Sequence, residues 1–153
     1  NGLRYTLNDV PVGDYSSLSF DLGVDPFLNS TLPSDYSSSH PLSLTDHYWA
    51  AWNSYIFSKL EGKLDSDNDG TFETAFSYHT GTDAMLQDVT LIKNISVELD
   101  KSVVLNIDID LYNIFVQGNE SMDILNHTTT HNPVDSVYAQ FISNGYKNAI
   151  SIE

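Results

Sequence analysis

The chain has 153 residues, about one domain, with 41% hydrophobic and 12% aromatic residues, a composition that buries a core. Twenty-one acids against 6 Lys and Arg leave a formal charge of −15, which excludes a phosphate-backbone partner and favours cations. Cysteine is absent, so disulfides, thiolate metal sites and Cys nucleophiles are excluded, and no apolar run is long enough to span a bilayer. The first residue is Asn1 rather than Met, which fits a trimmed mature or expressed segment, so the missing signal peptide says little about export.

Leu18 to Val24 alternates apolar and polar residues, the period of a half-buried strand. A loop rich in Ser, Pro, Asn and Asp follows, from Asp25 to about Thr45. Its length points to function or to a packed surface excursion, and Asn29 in it heads an Asn-x-Thr sequon. The next block, Asp46 to Gly62, holds His47, Trp49, Trp52, Tyr55 and Phe57. Tyr48, Trp52, Tyr55 and Ile56 fit one helical face, but Tyr55 to Gly62 also reads as a strand. The strand is favoured, because Asp65 to Gly70 then forms a loop into a second strand from Thr71 to His79.

Asp88 to Ile92 and Ile95 to Leu99 read as short strands around a Lys93-Asn94 turn. Ser102 to Leu111 is the clearest strand, with Val103, Leu105, Ile107, Ile109 and Leu111 on one side. Leu111 to Gln117 suits a helical turn. Asn132-Pro133 opens a helix striped by Val134, Val137, Tyr138, Phe141 and Ile142, which Asn144-Gly145 ends. Ala149 to Ile152 closes the chain as a strand. Many short strands and one late helix predict an all-β fold: a single Greek-key β-sandwich domain with one short helix near the C-terminus.

Two sets of residues suit metals. His47 and His79 fall at the same open end of a hairpin made by the Tyr55 and Thr71 strands, and two neutral imidazoles make a credible copper(I) site. His127 and His131 are four apart; the Thr run between them and Pro133 indicate a loop, which supplies a ligand to the same site if it folds over it. Asp65, Asp67 and Asp69 with Gly70 match the first half of a calcium loop. Phe76 stands where an EF-hand has its bidentate Glu, leaving Glu73 or the Thr71 carbonyl to complete a smaller site. No Gly-x-Ser-x-Gly elbow, phosphate loop or dinucleotide fingerprint is present, and nothing argues for an enzyme.

Several segments together resemble the MbnP family of copper-binding proteins. They are Tyr15 to Gly23, Tyr48 to Gly62, Phe76-Ser-Tyr-His-Thr-Gly81, Val103 to Phe115 and Ala149 to Ile152, most of the chain. The Trp block and the His-x-Gly turn are the specific parts. The resemblance implies a periplasmic or surface β-sandwich that binds copper(I) through two histidines near a tryptophan oxidised to kynurenine. The oxidant in that setting is a di-haem partner enzyme of the MbnH, cytochrome c peroxidase-like type. Carried onto this chain, His79 is the firmest ligand, His47 the second, and Trp49 or Trp52 the oxidation candidate. Where the family commonly has Trp-x-Trp and then Gly-Tyr, this chain places Ala50 and Ala51 between the tryptophans and Ser54 before Tyr55. The alternative reading is a calcium-stabilised β-sandwich that recognises carbohydrate or protein, its Trp and Tyr stacking on the ligand.

Overall fold

The computed structural model describes residues 3–131 and 135–153. Among the described residues the strands are β1 (Gly13–Leu22), β2 (Tyr48–Trp49), β3 (Ser54–Leu64), β4 (Thr74–Gly81), β5 (Gln87–Val97), β6 (Ile107–Ile109), β7 (Val116–Gln117), β8 (Glu120–Ser121) and β9 (Ile150–Ile152). The helices are α1 (Pro26–Asn29), α2 (Leu111–Phe115) and the longer α3 (Ser136–Ala149). All the named strands pair antiparallel, as β1-β5, β2-β3-β4, β6-β9 and β7-β8. The chain is thus an all-β sandwich with a C-terminal helix. β1 pairs with β5 only after the whole β2-β3-β4 unit has intervened, a long non-local return.

One cluster of the core packs Tyr78 of β4 with Ile114 of α2, Met122, and Ile142 and Ala149 of α3, surrounded by Phe76, Phe115, Tyr138 and Phe141. The second packs Val89 and Leu91 of β5 on Ile150 of β9. Helix α3 packs into the first cluster, buried at Ala139, Ile142 and Ala149 among others, and Ile150, which follows it directly, belongs to the second. Among the described residues no helix is long and apolar enough to cross a membrane.

The long loop from Asp25 is a packed excursion. Buried Asn29 accepts hydrogen bonds from the Tyr55 amide at 2.8 Å and the Ser54 hydroxyl at 3.0 Å, and donates to Asp83 at 2.7 Å. The Tyr55 hydroxyl donates to the Leu42 carbonyl at 3.0 Å, fastening the far end of the loop to β3.

Four expectations change. Lys93-Asn94 is no turn: β5 runs unbroken from Gln87 to Val97, and the two residues face Ser16 at a β-bulge between the Ile92–Ser17 and Ile95–Tyr15 pairs. The run from Ser102 to Leu111 is strand only at Ile107–Ile109, because β9 offers just three partners; Val103 and Val104 are exposed. Alternation without a partner edge does not make a strand. The second hairpin strand begins at Thr74, after the acidic loop closes, rather than at Thr71. Asn144-Gly145 does not end the helix, which continues to Ala149. Gly145 serves close packing instead: a Cβ there would lie 2.4 Å from the Ile114 carbonyl oxygen of α2. The helix entry expected at Asn132-Pro133 and the stripe residue Val134 lie outside the described residues.

Candidate metal centre

The β3–β4 register builds the floor of the site. Glu61 lies opposite Ser77 and Lys59 opposite His79, and residues two apart on a strand share a face. Lys59, Glu61, Ser77 and His79 therefore stand together, while Tyr78 points the other way into the core with no exposed surface. The Lys59 ammonium turns aside and donates to the Asp46 carbonyl at 2.7 Å.

The wall comes from a segment with no regular structure of its own. Residues 128 to 130 lie parallel along β4: the Ser77 amide donates to Thr128 O at 2.8 Å, and the Thr130 amide donates to Ser77 O at 3.3 Å. Thr130 is fully buried, and its hydroxyl both accepts from the His79 amide at 2.8 Å and donates to the His79 carbonyl at 2.7 Å. This clip sets His131 beside His79, with ring centroids 4.6 Å apart. Ser77 Oγ is the hub between the rings, 3.3 Å from His79 Nε2 and 3.0 Å from His131 Nε2. Glu61 Oε1 lies 2.7 Å from His79 Nε2 and accepts from Ser77 Oγ at 3.1 Å.

The roof is aromatic. Trp49 sets its ring at 75° to His79 and 88° to His131, with centroids 5.9 and 5.3 Å away. Ala50 and Ala51 form a turn closed by Trp52 N donating to Trp49 O at 3.1 Å, which returns Trp52 to stack on Trp49 at 5.0 Å. Trp52 Nε1 also donates to the His131 carbonyl at 3.3 Å. Partial burial under these rings lowers the pKa of His131, as does the neighbouring His79, against smaller opposing effects of Glu61 and Asp135. The Glu61 carboxyl is held below its usual range first by its hydrogen bond with His79. A neutral His131 and a polarised His79, both presenting Nε2 to one small space, suit a metal that imidazoles bind.

The expected histidines thus separate. His79 and His131 meet; the loop that carries His131 does fold over the strand. His47 is exposed on the turn Thr45–His47, beside Tyr36, Leu44 and Asp46 in a surface hollow, and among the described residues no hydrogen bond, ion pair or ring contact joins it to His79. Trp49, paired with Ser54 across β2 and β3, is the residue of that strand whose ring meets His79, and His47 falls outside the pair. His127 stacks on Tyr138 at 3.8 Å, with its Nε2 2.7 Å from the Tyr138 hydroxyl, so α3 holds it.

Glu61, Ser77 and Thr130 went unnoticed in the sequence. Once the Tyr55 and Thr71 strands are taken as a hairpin, alternation alone would have flagged Ser77, two residues before His79; Glu61 needs the register, and Thr130 needs the tertiary contact.

The acidic loop forms a separate cluster. Ligand oxygens of Asp65, Asp67, Asp69 and Glu73 lie within 4.8 Å of one another. Asp65 accepts from the amides of Gly70 at 2.8 Å and Asp69 at 3.1 Å, with the Gly70 bond the main cause of its lowered pKa. Gly70 takes φ +92, the left-handed turn that only glycine adopts freely. Glu73 reaches back to the Ser66 amide and hydroxyl.

Comparison with curated proteins and with solved structures returned no match. A family model does match: that of MbnP, over residues 1–135, a span that carries Trp49, Trp52, Glu61, Ser77, His79 and His131 and stops short of α3. Covering most of the chain, and all of the residues that converge at the site, the match shows that this chain belongs to the MbnP family.

Proposed function

We propose that this protein binds copper(I) between His79 and His131, beneath the Trp49 ring. The observation that carries the reading is the convergence of the two Nε2 atoms on one side of Ser77 Oγ, walled by the stacked tryptophans. Copper(I) accepts low coordination numbers, and in a chain without cysteine two neutral imidazoles are its natural donors. Membership of the MbnP family supports a copper-related, non-catalytic role. Trp49, whose ring touches both imidazoles, is the better oxidation candidate than Trp52, which stacks behind it. An exported location, and a di-haem MbnH-like enzyme as the oxidant, belong to the same reading.

Copper(I) titration against a chromophoric competitor tests it on wild type, His79→Ala, His131→Ala and His47→Ala. One tight equivalent should bind to wild type and His47→Ala, and affinity should fall by at least about tenfold in each of the other two. Equal affinity in His131→Ala would remove that residue; loss in His47→Ala would restore the ligand pair expected from the sequence. Peptide mass analysis after exposure to the partner enzyme would place any oxidation on Trp49 or Trp52.

The second reading, a calcium-stabilised recognition module, is favoured by the four converging carboxylates of the Asp65–Glu73 loop. A calcium-dependent rise in Tm together with glycan binding, and no copper affinity, would support it over the first.

A further inference from the structure

Resting on the His79–His131 reading, we propose that Glu61 is a third, anionic donor that lets the same centre take a divalent ion, zinc(II) or copper(II). Glu61 is the carboxylate hydrogen-bonded to both His79 and Ser77, and the register places it there: it faces Ser77 across the β3–β4 ladder, two residues along from Lys59, which faces His79. Its Oε1 is already 2.7 Å from the His79 nitrogen a metal would take. Tetrahedral zinc with bonds of about 2.0–2.1 Å needs donor atoms roughly 3.3 Å apart, so a small shift of an exposed side chain suffices.

Charge decides which ion gains. Two imidazoles form a neutral set that suits copper(I); a carboxylate adds a hard, negative oxygen, which a monovalent soft ion values little and a divalent ion values much. Two His and one Glu is also a donor set that zinc uses with a fourth position open to water. The Lys59 ammonium donates to the Asp46 carbonyl, and the hydrogen bonds to the carboxylate come from His79 and Ser77. Ser77 Oγ, donating to Glu61 Oε1, orients that carboxylate, as outer-shell hydrogen bonds do at metal sites.

The test is competition titration of the full chain with zinc(II), copper(II) and copper(I), for wild type, Glu61→Gln and His79→Ala, in excess calcium to occupy the Asp65–Asp69 loop. Glu61→Gln should lose at least about tenfold in zinc(II) and copper(II) affinity while copper(I) affinity stays within about threefold. The copper(II) electron paramagnetic resonance spectrum should change with loss of the oxygen donor but retain coupling to two nitrogens. Unchanged zinc(II) affinity in Glu61→Gln, with binding lost in His79→Ala, would overturn the role of Glu61 and leave the histidine site standing. If His79→Ala leaves every affinity unchanged, both readings fall. Glu61 is exposed, so the Gln variant removes charge without removing packing.

Discussion

Thr130 is the residue on which the geometry of the site depends, and replacing it with Val isolates that dependence. Val keeps the shape but removes a hydroxyl that accepts from the His79 amide at 2.8 Å and donates to the His79 carbonyl at 2.7 Å. Both bonds lie on the edge of β4 turned away from β3, at a residue with no exposed surface. Leaving a buried polar group unpaired costs about 1–3 kcal/mol, so two such losses with partial relaxation predict about 2–4 kcal/mol of destabilisation. In a domain of this size that lowers Tm by about 4–16 °C. Thr130→Ser is the control: it keeps both hydrogen bonds and loses one buried methyl, about 1 kcal/mol. Chemical denaturation should rank the three proteins as wild type, Ser, Val. Copper affinity should separate them differently, with Ser close to wild type and Val weakened by about tenfold or more as His131 loses its position. A Val variant that melts with wild type, or that melts lower yet binds copper equally well, refutes the idea that this hydroxyl sets the ligand pair.

Other outcomes follow from the same contacts. Gly145→Ala, which would raise helix propensity on an exposed helix, should instead destabilise by about 1–3 kcal/mol in urea unfolding, since its Cβ meets the Ile114 carbonyl at 2.4 Å. Asn29→Ala strips the acceptor from the Tyr55 amide and the donor to Asp83; a loss of about 2–4 kcal/mol is expected, with faster proteolysis in the 25–45 loop. Burial pushes the Tyr78 hydroxyl up to about 12, above its value of about 10 in an unfolded chain, so the folded state holds that proton more tightly. The contribution of Tyr78 to stability is therefore full below pH 10 and declines as pH rises towards 12. Tyr78→Phe should remove its share of about one proton from the alkaline slope, leaving those of Tyr55 and Tyr146, which burial also raises. Identical alkaline limbs for Tyr78→Phe and wild type would show that another group controls that transition.

Much of this was legible in the residue order. The β3 and β4 strands and the acidic loop between them follow from alternation interrupted by Asp, Asn and Gly, all local signals. So does the body of α3, whose expected entry lies outside the described residues and whose C-terminal end differs: the helix runs through Gly145, where Ile114 of α2 leaves space for no side chain. The Val103 to Leu111 run failed for a non-local reason, since a strand needs a partner edge and β9 supplies only three residues. Its mirror image is the segment at Thr128 to Thr130, which has no strand pattern yet is drawn along β4 by backbone and hydroxyl hydrogen bonds.

The sequence by itself determined the kind of chemistry available: no thiolates, five histidines, a strongly acidic chain and two tryptophans within one block. It also placed His79 on a strand whose period is readable, while the MbnP resemblance ranked it as the firmest ligand; the strand itself runs on to Gly81. Which histidine joins it was decided only by tertiary structure. His47 is nearer in sequence but sits on an exposed turn, while His131, 52 positions after His79, is carried in by Thr130 and held under Trp52. Hydrogen bonds between segments far apart in sequence leave no periodic trace along the chain, so the choice of partner appears only when the chain is folded.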